Sequence, residues 1–135
     1  MKVTRRFARR FRLLKLLRAA LGLGGVFYLG VAALAVAAPA RLGATLSRPL
    51  SAEPVVAWVL AALLTCLAGL YFLAAKDPRR YAGVVLVLVG GRLLGSAALG
   101  AGALTQPGAG GLWGLAAFDL AFATVIALAW LPLRV

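Results

Sequence analysis

The sequence predicts an all-α membrane protein: a four-transmembrane-helix, up-down-up-down bundle preceded by a basic interfacial helix. Three observations carry this expectation. Hydrophobic residues make up 64% of the 135 and mean hydropathy is +1.00, whereas soluble domains average roughly 45–50% apolar by a count that includes glycine. A chain of this size cannot hide so much apolar surface within itself. The apolar residues also gather in four stretches long enough to cross a ~30 Å hydrocarbon core as helices, and charge is confined to the segments around them, with Arg92 and Asp119 as the two exceptions.

Residues 1–20 form a basic lead. Val3, Phe7, Phe11, Leu14 and Leu17 recur every three or four residues, which gathers them on one helical face. Arg5, Arg9, Arg12 and Leu16 fall on the other, and Arg10 and Arg18 interrupt the apolar stripe. The pattern predicts a helix lying on the inner leaflet, its cationic side chains among anionic headgroups and its phenylalanines in the acyl region. A disordered topogenic tail is the competing reading.

The remaining residues, 21–135, read as one membrane domain. The first span is expected over 21–38, uncharged. Glycines in its Leu21-Gly-Leu-Gly-Gly start lack the preceding strand and following Gly-Lys-Ser/Thr of a phosphate loop, and are expected to loosen the junction with the basic lead. Pro39, Gly43 and Pro49 then interrupt helical continuity, while Arg41, Arg48 and Glu53 mark an aqueous connection. The second span is expected over 54–75, with Ser51 as N-cap and Pro54 in the first turn. Lys76 to Arg80 ends it, and so short a connection predicts that the second and third spans are antiparallel neighbours. The third span, 81–104, carries Arg92; an uncharged turn from Gln106 to Gly111 follows. The fourth, 112–131, carries Asp119 and stops before Pro132.

Orientation follows from the basic residues. Eight lie in the lead, two in the first connection, three in the second, none in the third and one after the last span. The positive-inside rule therefore places both termini in the cytoplasm. Trp58 and Trp113 then fall near the outer surface and Tyr71, Tyr81 and Trp130 near the inner one, at headgroup level where amphipathic rings concentrate. Basic residues, an apolar stretch and Ala35-Val36-Ala37 also fit a cleaved secretory signal, and Thr4-Arg5-Arg6-Phe7 a twin-arginine signal. The 18-residue apolar segment exceeds the ~7–15 residues of a signal's hydrophobic region, which favours a retained span.

Composition narrows the chemistry. With no histidine, three carboxylates and Cys66 as the only cysteine, an intramolecular disulfide, Cys/His zinc sites, histidine-ligated haem, cysteine-ligated iron–sulfur clusters and Ser-His-Asp or Cys-His catalysis are excluded. No catalytic residue, cofactor or metal site is expected, and Cys66 reads as a small apolar filler. The net charge of +12 points to lipid headgroups rather than nucleic acid, because the basic cluster abuts a span and no nucleic-acid module is present.

Arg92 and Asp119 are the candidate site. At ~1.5 Å per residue Arg92 lies about 15 Å from the inner end of its span and Asp119 about 18 Å from the inner end of the next, so an intramembrane ion pair facing the bundle interior is expected. Two meanings are open: a structural pair that fixes helix register, which the lack of further acids or histidines favours, or a polar cavity lined by Thr65 and Thr124 that binds an anion or headgroup or relays protons. Gly91-x-x-x-Gly95 and Ser96-x-x-x-Gly100 give the third span small residues one turn apart, a helix-packing signal for a neighbour in the same chain or in another copy.

The layout, the long first connection and the stretch from Gly69 to Arg80 (GLYFLAAKDPRR) leading to Gly91-Arg92 resemble small bacterial membrane proteins of the DoxX-like type over residues 21–131. Some members of that group are associated with quinone-linked oxidoreductases, so the resemblance implies an accessory subunit in a bacterial plasma membrane; the basic lead departs from it. The expected function is a non-catalytic accessory or structural subunit packing against a membrane partner. The alternative is a small transporter or channel that oligomerises around the Arg92/Asp119 site. Small multidrug transporters have a similar length but carry an acidic residue in the first span, where this chain has none.

Overall fold

The computed structural model describes residues 2–46, 54–105 and 110–133, with side chains from residue 10 onward. Every described element is helical: α1 (Lys2–Ala37), α2 (Pro39–Leu46), α3 (Pro54–Lys76), α4 (Ala82–Thr105) and α5 (Gly110–Trp130), closed by a 3₁₀ turn at Leu131–Leu133. Four of them, α1, α3, α4 and α5, are long and apolar enough to cross a membrane. Their outward faces carry large apolar side chains such as Val26, Leu63, Leu94 and Leu128, a surface stable only in contact with lipid or another apolar partner.

The basic lead and the first span form a single helix. α1 runs unbroken through Leu21–Gly25 for 36 residues, about 54 Å at the α-helical rise, so the glycines there mark no junction. They have a different use. A Cβ on Gly24 would come within 2.8 Å of the Tyr71 ring, and one on Gly25 within 2.8 Å of the Phe72 ring. The missing side chains let α3 lay two aromatic rings against the α1 backbone. Part of the lead is also held by packing: Leu17 and Leu21 are fully buried in a cluster with Ile126, Trp130 and Leu133 of the chain's last turns.

Pro39 begins a helix where an irregular connection was expected. It ends the α1 ladder because it has no N–H to donate, but its fixed φ suits a first helical position. Ala38 joins the two helices, accepting from the amides of Arg41 (3.1 Å) and Leu42 (3.3 Å). Leu42 and Gly43 are buried, Leu42 packing with Ala32, Ala35 and Ala61. Ser51 and the rest of 47–53 lie outside the described residues, as do Gln106 to Ala109 and Arg134.

In α3 the buried positions Ala57, Ala61, Ala68, Tyr71 and Ala74 recur at helical spacing, and the four alanines permit close packing. α3 then stops at a turn that precedes α4. Asp77 Oδ1 accepts from the amides of Arg79 and Arg80, both at 3.2 Å, and Pro78 follows Asp77 at the position where a missing N–H is harmless.

The short connection does not make α3 and α4 close partners. The tight pairs are α1 with α3 and α4 with α5; α1 joins the pairs through α5, and α3 touches α4 much less. Small residues occur in both tight seams, Gly24 and Ala61 in the first and Gly95 and Ser96 in the second, whereas α4 turns Val85, Leu88 and Arg92 inward.

Candidate functional site

Arg92 occupies the same inward face as Val85 and Leu88, one turn further along α4, and is 2% exposed. Its Nε donates to the Tyr71 hydroxyl and its Nη1 to Asp119 Oδ1, which forms the ion pair. Four rings surround the guanidinium carbon: Phe122 at 4.2 Å, Tyr28 at 5.1 Å, Tyr71 at 5.4 Å and Phe118 at 5.8 Å from ring centre. Each is within the ~6 Å reach of a cation–π interaction, which is strongest where water is excluded.

All four long helices contribute. α1 supplies Tyr28, α3 Tyr71, α4 the arginine, and α5 Phe118, Asp119 and Phe122. The rings also hold one another: Tyr28 with Tyr71 at 5.4 Å, Phe118 with Phe122 at 5.8 Å and Phe27 with Phe118 at 5.2 Å between centres. Tyr71 reaches this position because Gly24 leaves room for its ring, with Phe122 also 3.3 Å from where the Gly24 Cβ would stand.

Beyond the pair, α4 and α5 make a close seam. Ser96 Oγ donates to the Ala116 carbonyl at 2.8 Å, a Cβ on Gly95 would lie 3.5 Å from Asp119 Oδ2, and one on Gly100 3.8 Å from the Trp113 ring. Three of the four expected packing residues thus face α5. Gly91 does not: it is exposed, with open space where its Cβ would be. Gly91 and Gly95, four residues apart, are divided by the edge of the seam.

Thr65 and Thr124 do not line the site. Both are exposed, and each donates to a carbonyl one turn back on its own helix, Ala61 and Leu120, at 2.8 Å, the usual way for a threonine in an apolar helix to satisfy its hydroxyl. Tyr71 and Trp130, expected at the inner surface, are both buried in the main core. Trp58 and Trp113 are exposed and Cys66 is an exposed free thiol. Among the described residues no group of acids and cysteines is arranged to hold a metal ion.

The aromatic partners were not legible as a site in the sequence. Tyr71 precedes Arg92 by 21 residues on another helix, so no local spacing joins them. Phe118-Asp119-x-x-Phe122 offers a local signal, since both phenylalanines flank the acid on one side of a helix. Tyr28, the only hydroxyl-bearing residue of the first span, offers another. No family model, curated protein or solved structure matches the chain.

Proposed function

We propose that this is a non-catalytic integral membrane protein, an up-down-up-down four-helix bundle with both termini in the cytoplasm, whose outer apolar surface packs against a membrane partner. The observation that carries the reading is the enclosure of Arg92. Two of its three guanidinium nitrogens are committed to Tyr71 and Asp119, its carbon lies under four rings, and its surface is almost wholly covered. A charge so enclosed, with contributions from every long helix, suits a lock on helix register. A substrate site would need an accessible face.

Orientation rests on the basic residues beside the spans, among which Arg12, Lys15, Arg18, Lys76, Arg79 and Arg80 are exposed. The likeness of residues 69–92 to DoxX-like proteins favours an accessory role in a bacterial plasma membrane. A second reading, a small oligomeric transporter, is favoured by one observation: the Asp119 side chain keeps 17% of its surface exposed.

Extraction in mild detergent separates the two. Co-purification with larger membrane proteins is the expected result. A defined homo-oligomer that supports solute flux in proteoliposomes, with flux abolished by Arg92→Ala, overturns it in favour of transport.

A further inference from the structure

The Arg92–Asp119 contact uses one nitrogen and one oxygen. Nη2 has no hydrogen-bond partner although it has no accessible surface, and Asp119 accepts through Oδ1 alone among the described residues. The Tyr28 hydroxyl, whose ring lies 5.1 Å from the guanidinium carbon, is also without a hydrogen bond among these residues. A buried charged donor left unmade is costly, and a buried unmade donor in a native structure signals strain, chemistry or a bound small molecule.

A two-toothed Arg–carboxylate fork is the usual way to satisfy both groups, and here it is obstructed. Nε is held by the Tyr71 hydroxyl, and Phe122 at 4.2 Å and Tyr28 at 5.1 Å cover the guanidinium. Turning the group to bring Nη2 onto Oδ2 breaks the tyrosine bond or displaces the rings. Nη2 and Oδ2 are each two bonds from the contacting atoms of the ion pair. An approach exists on the other side: the carboxylate is partly exposed, and Gly95 stands 3.5 Å from Oδ2 by its Cβ direction with no side chain to cover it.

We infer that this polar centre is a binding site for one water molecule, which accepts from Arg92 Nη2, donates to Asp119 Oδ2 and has the Tyr28 hydroxyl as its third partner. A buried water typically makes about three hydrogen bonds to groups otherwise unsatisfied, and these three atoms supply that number. The ligand class follows from the groups: the pair is neutral overall, so the site selects a small neutral molecule that both donates and accepts. The assignment rests on the ion pair and not on the accessory role proposed above.

The test is a crystal structure of the full chain grown from a lipid mesophase at a resolution that shows ordered water. The expected result is a single oxygen peak within about 3.2 Å of both Nη2 and Oδ2. A direct two-bond fork with no peak, or density too large for one oxygen, overturns the proposal. An independent measurement uses guanidinium-¹⁵N-labelled protein in bilayers, with the Arg92 signals assigned by their loss in Arg92→Lys. Magnetisation transfer from water to Nη2 within milliseconds supports the site. Transfer to every arginine side chain except this one overturns it. Neither result alters what co-purifies with the protein, so the accessory reading stands or falls separately.

Discussion

An arginine placed at mid-bilayer without a partner costs ~2.5–3.5 kcal/mol on insertion scales, and Arg92 offsets this with an ion pair, a tyrosine bond and four rings. Removing one member of a buried pair leaves the other uncompensated. Asp119→Leu and Arg92→Met are therefore each expected to lower stability by about 3–5 kcal/mol, while the double substitution costs far less. Reversible unfolding in mixed micelles measures the cycle, and additive costs would mean the two charges do not interact. Tyr71→Phe is expected to cost about 1–3 kcal/mol by leaving Nε unmade. Thr65→Ala and Thr124→Ala, whose hydroxyls serve only their own helices, are expected to stay within about 0.5 kcal/mol of the parent.

At the scale of the helix, glycines divide by what lies opposite them. Gly24 and Gly25 face aromatic rings closer than any Cβ allows, whereas Gly22 and Gly30 face open space. Gly24→Ala pushes on a Tyr71 ring anchored at its hydroxyl by Arg92, so a loss of about 1–3 kcal/mol is expected. Gly30→Ala is expected to be neutral or to gain about 0.5–1 kcal/mol through helix propensity. Parallel thermal melts compare the two; equal melting temperatures would contradict the close α1–α3 approach. In the turn before α4, Asp77→Ala removes the acceptor for two amides and is expected to cost about 0.5–2 kcal/mol, read as faster amide exchange at Arg79 and Arg80.

For the whole molecule, the continuity of α1 ties the basic lead to the bundle. Its exposed residues Arg12, Lys15 and Arg18, with Phe11 under the Lys15 ammonium at 4.6 Å, belong to a helix anchored by Leu17 and Leu21. In the proposed orientation these cations meet the headgroups of the inner leaflet. Native mass spectrometry is expected to show anionic phospholipid retained on the parent chain and lost when these three residues are changed to glutamine; equal retention would exclude them from lipid binding. Reporter fusions at each end are expected to give cytoplasmic signals.

Much of this architecture was legible in one dimension. Four apolar stretches, the positions of Arg92 and Asp119 and the turn at Asp77-Pro78 are local properties, because hydropathy, charge and capping depend on residues a few places apart. What the tertiary structure decided is who stands opposite: α1 more closely than α4 beside α3, Gly24 as a seat for Tyr71, Gly91 outside the seam that holds Gly95, and an aromatic enclosure drawn from helices up to about ninety residues apart in the chain. Those facts depend on side-chain volume across helix seams. In a membrane, where apolar burial no longer separates inside from outside, close packing and the few polar contacts choose the neighbours.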